Sequence, residues 1–476
     1  MSHVVAFQSV SVASVRYALA ASDLSCLVNL PEHSETVPRA YLVGVNISNT
    51  YWERPVRYIL LCRTDRFAFQ HIVPNYYYRM NPDGTFSNGS GCSNDTASEH
   101  LMYRKYMIDS VTYWAKEYHI DGFRFDLAAA LCRDQNSYIQ GFPFLTNAIS
   151  EDAILGNTKI IAEPWDCGGG YLVGGFPGGR WSEWNDRFRN DIRRFIRGDE
   201  GVVTAAATRI AGSSDMFNHS GRVPSASINF VSCHDGFTLN DVVSYNGKHN
   251  DENGENNRDG SDDNNCYNHG YEGVTTNPKI ETVRVKKIKN FLLCLLLSQG
   301  VPMICAGDEF RRTQMGNNNA YCQDSEISWI NWNFVAKNHE LFEFTKAMIN
   351  LRKNHPVFRR ETFFSSQKAE IEWYGSDGKN PDWTKMKRFL GFKLVGSSPR
   401  HEDDSADNDF YIAGNTDIYD VTVTLPTPAK GKKWYCLADT SVAGDMTVAA
   451  PGKEELLKEQ QLYVVPAGSF VILISK

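Results

Sequence analysis

Apolar residues along the middle of the chain recur with two different periods, and the two periods alternate. Within residues 98–118, Met107, Val111 and Trp114 recur three or four positions apart, which predicts a helix with one apolar stripe. Residues 119–127, which read HIDGFRFDL, follow at once and carry the two-residue alternation of a strand. A helix followed directly by a strand is typical of an α/β repeat.

The same unit returns further along the chain. Short apolar runs that end in acidic residues predict more buried strands, and amphipathic stretches between them predict helices. Together these repeats predict an α/β fold. The predicted strands cover residues 119–126, 159–162, 181–185, 228–233 and 301–306, and the predicted helices cover residues 98–118, 189–197, 282–298 and 339–352.

The two ends of the chain lack the alternating helix and strand patterns of its middle part. Residues 1–74 show only two weak strand patterns, at 41–47 and 58–62. After residue 352, strand patterns without helices predict an antiparallel β-sandwich, with strands over residues 389–395, 409–413, 421–425, 433–437 and 460–474. We therefore expect an unassigned segment at residues 1–74, a barrel domain at residues 75–360 and a C-terminal sandwich at residues 361–476.

Composition and charge narrow the class of protein. With 476 residues, of which 42% are hydrophobic and 22% are charged, the chain can bury a large core and form two domains. A net charge of -7 argues against a nucleic-acid surface, and no apolar run is long enough to span a bilayer. Eleven cysteines without a CxxC pair indicate reduced thiols. The cytoplasm is the expected compartment, with a plastid as the alternative in a starch-storing organism.

Four of the predicted strands finish in acidic residues, namely Asp126, Glu163, Asp235 and the pair Asp308–Glu309. In a (β/α)8 barrel the catalytic groups gather from the carboxyl ends of several strands. A helix cap explains one such acid easily and four of them poorly. Arg124 shares a strand face with Asp126 and would hold that carboxylate ionised, which suits a nucleophile. A structural ion pair is the plainer interpretation of these two residues.

Three short motifs resemble those of glycoside hydrolase family 13, the α-amylase superfamily: FRFD at residues 123–126, AEPWD at residues 162–166 and FVSCHDG at residues 230–236. Longer stretches at residues 179–201, 235–250 and 306–324 resemble the isoamylase and glycogen-debranching branch of that family. The resemblance implies a (β/α)8 barrel followed by a C-terminal β-sandwich. It also implies hydrolysis of α-1,6-glucosidic branch linkages in a branched α-glucan such as glycogen, amylopectin or a limit dextrin.

The resemblance assigns roles to single residues. It makes Asp126 the nucleophile, Glu163 the general acid and base, and Asp235 the third acid, which stabilises the distorted sugar. A retaining glycosidase needs two carboxyl groups about 5 Å apart with separated pKa values. Arg124 would keep Asp126 charged, whereas Glu163, near Trp165, would stay protonated until it donates.

Two further residues are expected to bind substrate. His234 corresponds to a contact with a substrate hydroxyl, and Trp165 is expected to lie at the same site. For Glu163, a salt-bridged carboxylate at the barrel rim is the alternative interpretation. Tyr76, Tyr77 and Tyr78 could stack on a sugar ring or pack beneath their loop.

The loop at residues 248–273 is dense in asparagine, aspartate and glycine. A loop of this length in a compact domain is usually functional or disordered, so we interpret it as substrate-facing, with a plain surface loop as the competing hypothesis. Asp259, Asp262 and Asp263 could suggest calcium, but the loop lacks the EF-hand pattern. No metal ion or other cofactor is therefore expected.

The chain also departs from the family pattern. Neither the DVVxNH-type motif of the third barrel strand nor the glucan-binding sandwich that usually precedes the barrel has a counterpart upstream of residue 75. Three strand–helix units should precede residue 119, and each takes about 30 residues. Residues 1–74 do not supply them, so we expect an incomplete barrel whose first three strands are not recognisable.

Three functions remain open from the sequence. The first is a debranching hydrolase that acts by a retaining mechanism. The second is a catalytically impaired relic that binds or regulates glucans. The third is another α-glucan hydrolase or a transglycosylase of the same superfamily, although the DGFTLNDVVSYN stretch at residues 235–246 favours debranching. The sequence leaves the oligomeric state open.

Overall fold

The computed structural model describes residues 5–7, 69–92, 94–365, 369–396 and 407–476. The strand patterns at residues 41–47 and 58–62 lie outside these ranges. Within the ranges, no helix combines the length and the apolar character needed to cross a membrane. The nine cysteines described there are free thiols.

A six-stranded parallel sheet carries the carboxyl-end acids. Its strands are β1 (Val5–Phe7), β2 (Gly122–Phe125), β3 (Lys159–Ala162), β4 (Ser182–Asn185), β5 (Ser227–Asn229) and β6 (Val301–Cys305). They lie in the order β1-β6-β5-β4-β3-β2, and every adjacent pair is parallel. Among the strands that the structure describes, β1 and β2 are the two ends of the sheet. The predicted α/β class is therefore confirmed at the level of a parallel half-barrel.

Helices lie between most of these strands, although β4 follows β3 without one, and the four predicted helices are present with shifted ends. The third of them begins as the sequence chemistry directs, since Pro278 opens it and the Asn277 side chain accepts from the Lys279 N–H at 3.0 Å. The helices are α1 (Phe69–Ile72), α2 (Leu101–Glu117), α3 (Phe144–Glu151), α4 (Asp186–Arg197), α5 (Val203–Ile210), α6 (Ser214–Phe217), α7 (Leu239–Val242), α8 (Pro278–Leu297), α9 (Asn333–Lys337) and α10 (His339–Asn354).

Alternation along β2 separates two environments. Phe123 and Phe125 face outward into an apolar cluster that includes Val111 of α2. Arg124 points to the opposite face, where a second apolar cluster forms the floor of the half-barrel. The buried members of that floor are Ile161, Trp184, Ile228, Phe230, Cys233 and Met303.

The predicted strand at residues 228–233 is wrong in its extent, because β5 ends at Asn229. Beyond that residue the backbone bonds to side chains instead of to a neighbouring strand. The Val231 carbonyl accepts from Arg193 Nε at 2.7 Å, and the Ser232 hydroxyl donates to Asp308. These side chains hold residues 230–233 in an irregular path at the edge of the sheet.

The C-terminal part consists of two antiparallel sheets, which confirms the predicted antiparallel architecture. The pattern missed β7 and β12, and the stretch predicted at residues 460–474 is two strands. An apolar core that includes Val423, Val465 and Val471 lies between the two sheets. The strands are β7 (Ile371–Tyr374), β8 (Phe389–Leu394), β9 (Phe410–Asn415), β10 (Val421–Thr424), β11 (Trp434–Asp439), β12 (Glu455–Leu456), β13 (Leu462–Val465) and β14 (Ser469–Ser475). One sheet has the order β12-β11-β14-β9-β8-β7, and the other pairs β10 with β13.

Candidate active site

Strands β2 and β3 end side by side, and each brings one acid to the same edge of the sheet. Asp126 is the first residue beyond β2, and Glu163 is the first residue beyond β3. The strand pairing continues to this point, because the Glu163 N–H donates to the Phe125 carbonyl at 2.9 Å. This register places the two acids next to each other.

Arg124 joins the two acids. Its Nη1 donates to Asp126 Oδ1, and its Nη2 lies 2.9 Å from Glu163 Oε2. Burial disfavours the charged guanidinium, but the attraction of Glu163 and Asp126 outweighs burial and raises the pKa of Arg124 above its usual value. We refer to Arg124, Asp126 and Glu163 as the arginine cluster.

Glu163 is the most buried member of the arginine cluster, with a side chain that is 2% exposed. Its Oε2 accepts from the Leu127 N–H at 2.7 Å, and Leu127 presents that N–H from a left-handed conformation with φ 41°. Burial raises the pKa of Glu163 to about 7 against the opposing attraction of Arg124, and the charges of Asp126 and Asp235 raise it further. A carboxyl group with this pKa can donate and accept a proton near neutral pH.

Residues 230–236, which we call the histidine–aspartate segment, follow β5 and reach the same edge. The Asp235 side chain is 64% exposed, and His234 Nε2 lies 3.4 Å from Asp235 Oδ2. The charge of Asp235 acts on the pKa values of both Glu163 and Arg124. The fold therefore brings the three predicted acids into one electrostatic neighbourhood.

An aromatic ring that the strand pattern alone did not single out lies between these two groups. Trp184 of β4 is buried, and the guanidinium carbon of Arg124 lies 4.2 Å from the centre of its ring. The His234 ring is 5.7 Å away in an edge-on arrangement. The signal that could have found Trp184 is alternation, because its neighbour Glu183 is buried against Arg222 on the other side of the strand.

Asp308, the fourth strand-end acid, has a different place from the other three. Its carboxyl group is buried and accepts from the Ser232 hydroxyl and from the Leu239 N–H, the latter at 2.9 Å. Burial raises the pKa of Asp308 to about 7, although both hydrogen bonds oppose the shift. Through these hydrogen bonds Asp308 holds the histidine–aspartate segment in place.

Two buried asparagines connect the loop at residues 248–273 to the histidine–aspartate segment. The Asn318 N–H donates to Asn250 Oδ1, and Asn250 Nδ2 donates to Asn318 Oδ1, each at 2.9 Å. The Asn318 carbonyl in turn accepts from the Gly236 N–H at 2.9 Å. Gly260 fits tightly against this pair, because a Cβ there would lie 2.3 Å from Asn318 Oδ1.

Two of the three aspartates considered for calcium, Asp259 and Asp262, contact other side chains of the chain. Asp259 Oδ2 accepts from Asn253 Nδ2 at 2.7 Å and from Asn319 Nδ2 at 2.9 Å. Asp262 pairs with Lys248 at 2.9 Å. In the part of the chain that the structure describes, no group of three or more His, Cys, Asp or Glu residues is placed to hold a metal ion. The loop aspartates are therefore not gathered into a calcium site.

The remaining aromatic candidates have mixed positions. Trp165 is half-buried and packs against the apolar floor, and its backbone pairs with that of Tyr171. Tyr78 is buried, and Tyr77 stacks on Phe69 with 4.4 Å between ring centres. Packing, the commoner of the two expectations for such tyrosines, describes these two rings.

Comparisons with known proteins place this geometry in a family. Residues 370–474 match the family described as "Isoamylase, C-terminal". A glycogen operon protein GlgX homolog of Mycobacterium tuberculosis (strain ATCC 25618 / H37Rv) is 39% identical over 424 residues, which cover 85% of this chain. Isoamylase 3, chloroplastic, of Oryza sativa subsp. japonica is 40% identical over 389 residues, or 81% of this chain. Over most of its length the chain is thus similar to isoamylase-type proteins of glycoside hydrolase family 13.

Solved structures of pullulanases are similar in fold to this chain. The pullulanase from Bacillus acidopullulyticus has a TM-score of 0.63 and 28% identity, and the match covers 85% of this chain and 44% of that one. The pullulanase from Anoxybacillus sp. LM18-11 in complex with maltotetraose has a TM-score of 0.61 and 26% identity, over 86% and 52% of the two chains. The chain spans 58% of the length of the Mycobacterium tuberculosis relative and 48% of the rice one. The family resemblance of the sequence motifs is confirmed.

Proposed function

We propose that the protein hydrolyses α-1,6-glucosidic branch linkages in glycogen- and amylopectin-type glucans, with retention of configuration. The arginine cluster carries the proposal: one guanidinium contacts a carboxylate from each of two neighbouring strands, and the charge of Asp235 acts on Arg124 and on Glu163. The names of the relatives, a GlgX homolog and an isoamylase, and of the pullulanase solved with maltotetraose support the same substrate class.

In the first step Asp126 acts as the nucleophile. Arg124 favours its anionic form, and the carboxylate attacks the anomeric carbon of the sugar at the branch linkage. Glu163, protonated, donates to the departing glycosidic oxygen, so a glycosyl ester forms on Asp126 as the linkage breaks. Two carboxyl groups on the two terminal nitrogens of one guanidinium are compatible with the separation of about 5 Å that a retaining mechanism needs.

In the second step Glu163 reverses its role. As a carboxylate it accepts a proton from water, and the water oxygen attacks the anomeric carbon and displaces Asp126. A pKa near 7 suits a group that must be protonated in one step and ionised in the next. The exposed Asp235 and His234 would contact the sugar hydroxyls, and Trp165 would lie beside them.

The experiment measures reducing ends released from amylopectin, with unbranched amylose as the second substrate. We expect release from amylopectin as linear maltooligosaccharides, and little from amylose. Asp126→Asn and Glu163→Gln should each lower turnover by roughly 10³-fold or more, as the loss of a nucleophile or an acid does in other hydrolases. Asp109→Asn, which alters an exposed carboxylate paired with Lys105, is the matched control and should keep wild-type turnover.

Circular dichroism and size-exclusion chromatography come first, so that an unfolded preparation is recognised before the assay. Cleavage of amylose in place of amylopectin would replace the proposal with another α-glucan hydrolase. A folded protein that binds amylopectin in an affinity gel but releases no reducing ends would instead indicate the non-catalytic glucan-binding alternative.

A further inference from the structure

One ring on β4 contacts both halves of the proposed site. Trp184 is 4% exposed, and its indole face lies against the guanidinium of Arg124 at 4.2 Å. The His234 ring stands 5.7 Å from it, and the Phe230 ring stands 5.6 Å from it. None of the three proposed catalytic acids lies on β4, so Trp184 is the contribution of this strand to the site.

The contact between the Trp184 ring and the Arg124 guanidinium stabilises a buried cation. The Arg124 side chain is 8% exposed, so little water can solvate the face of its guanidinium. An aromatic face attracts a cation, more strongly in a desolvated site, and indole is the best of the aromatic rings for this. A planar guanidinium stacked on a ring also loses its freedom to tilt, which matters because each of its two terminal nitrogens contacts a different carboxylate.

We infer that Trp184 is a positioning residue for Arg124, whose guanidinium it holds flat so that Nη1 stays on Asp126 and Nη2 stays on Glu163. The inference rests on the proposed function for its meaning in catalysis, but the geometry concerns the arginine cluster alone. Because the ring is buried, its role is assigned through Arg124 and not through contact with substrate.

Several charged or titratable groups lie in the arginine cluster or close to it, and a test by pH has to consider them all. They are Asp126 beyond β2, Glu163 beyond β3, His234 and Asp235 in the histidine–aspartate segment, and the thiols of Cys92 and Cys167, whose pKa values are both raised by burial. Displacement of the guanidinium would remove an attraction that now lowers the pKa of Glu163. The expected direction is therefore a higher pKa for Glu163.

Three variants separate positioning from packing. Trp184→Met fills most of the space without an aromatic face, and Trp184→Phe keeps an aromatic face. Trp181→Met is the matched control: Trp181, three residues earlier, is also buried, and its ring contacts the rings of Phe125 and Phe176.

We expect Trp184→Met to lower kcat roughly tenfold with KM nearly unchanged, and to move the alkaline limb of the activity profile up by roughly one pH unit. Trp184→Phe should restore most of kcat and the wild-type limb. Trp181→Met should lower the unfolding temperature without moving the limb. If Trp184→Met does not move the alkaline limb of the activity profile, the inference is overturned. Amylopectin turnover by the wild type would still support the proposed function in that case.

A second readout needs no activity. The difference in unfolding temperature between wild type and Trp184→Met should grow between pH 6 and pH 8, and this growth should vanish when both carry Glu163→Gln. A difference that is the same at every pH shows packing only and overturns the inference. If the wild type has no turnover, the proposed function fails and this measurement alone decides the inference. If Trp184→Met does not fold, Trp184→Leu, which also lacks an aromatic face, replaces it, and the absence of a shift in that variant overturns the inference.

Discussion

The arginine cluster and the histidine–aspartate segment place acids at the same edge by different means. In the arginine cluster the acids follow regular strands directly, and one buried guanidinium contacts both carboxylates. In the histidine–aspartate segment the strand has already ended, and the path to Asp235 is held by side chains from distant parts of the chain. The comparison shows that strand geometry with a countercharge suffices for a buried pair of acids. An exposed acid on an irregular path requires bracing by loops.

This difference predicts that mutations in the two regions will have different effects on activity. Damage to the arginine cluster should change the charge state of the site and its pH dependence. Damage to the residues that hold the histidine–aspartate segment in place should displace Asp235 and lower turnover. It should lower the pKa of Glu163 only slightly, because burial, Arg124 and Asp126 act on that pKa more strongly than Asp235 does.

The largest effect is expected at the centre of the arginine cluster. Arg124→Met leaves two neighbouring carboxyl groups without a countercharge, so we expect kcat/KM to fall by roughly 10³-fold, with a loss of about 3–5 kcal/mol in unfolding free energy near neutral pH. Arg124→Lys is the matched variant, because it keeps the charge but cannot contact both carboxylates in one plane, and it should be intermediate. Activity assays and denaturant unfolding check both. Turnover within threefold of wild type in the Met variant would show that the countercharge does not organise the site.

The next largest effect is expected where Gly260, Asn250 and Asn318 hold the histidine–aspartate segment in place. Gly260 has φ +71°, and a Cβ there would meet Asn318 Oδ1 and Asn250 Nδ2, whereas Gly254 has φ +75° and open space around it. Gly260→Ala should separate the asparagine pair and lower kcat by roughly 10–100-fold, as small displacements of catalytic groups do. Gly254→Ala carries the same backbone strain, about 1 kcal/mol, and should keep wild-type kcat.

The measurement is kcat on amylopectin, together with the pH profile of each variant. The alkaline limb of Gly260→Ala should stay close to the wild-type position, since burial, Arg124 and Asp126, which act on the pKa of Glu163 more strongly than Asp235 does, are unchanged. Equal kcat values in the two alanine variants would disconnect the loop from the site and leave it a plain surface loop.

The part of the site that could be predicted from sequence is the part that strand geometry determines. Asp126, Glu163 and Arg124 were predictable because carboxyl ends of parallel strands meet at one edge and because alternate residues share a face. The same reasoning gave β3 its bounds and placed α2, α4, α8 and α10 to within a few residues.

The rest depends on contacts between residues far apart in the sequence. Asn250 and Asn318 pair over 68 positions, and nothing in the local pattern of either marks it as buried. The end of β5 at Asn229 was not predictable either, because Arg193 and Asp308 supply the partners that divert the chain. Asp308 follows the same strand-end pattern as Glu163. Only its contact with Ser232 shows that Asp308 supports the histidine–aspartate segment and is not itself a member of the proposed site.

A smaller effect concerns the pH range of activity, which the ionisation of Glu163 should set. Because burial raises the pKa of Glu163 to about 7 and the acid must be protonated to donate, kcat/KM should fall about tenfold per pH unit above that value. The control is His234→Gln, since imidazole is the other kind of side chain that titrates in this range. The limb should persist in that variant at lower overall activity. A limb that disappears with His234 would assign it to the histidine–aspartate segment instead.

The smallest effect on activity is expected at Asp308, where the consequence is a change in how stability depends on pH. The folded-state pKa of about 7 lies above the ordinary value of 3.8, so the stabilising contribution of protonated Asp308 is complete below about pH 4 and is lost as the pH rises to about 7. Asp308→Asn cannot ionise, and its amide can still accept from the Leu239 N–H and donate to the Ser232 hydroxyl. Relative to wild type, the variant should therefore gain stability as the pH rises from 4 to 7, by up to about 4 kcal/mol.

Denaturant unfolding at pH 4, 5.5 and 7 measures this difference, and kcat should stay within about threefold because the brace keeps its shape. Asp241→Asn is a suitable comparison, since Asp241 is also buried with a raised pKa but bonds to Thr313 and Gln314 instead of to the segment that carries Asp235. A stability difference for Asp308→Asn that does not change with pH would mean that the carboxyl group stays ionised in its burial site. The histidine–aspartate segment would then rest on a buried charge, as the arginine cluster does, and the two regions would be held by the same means.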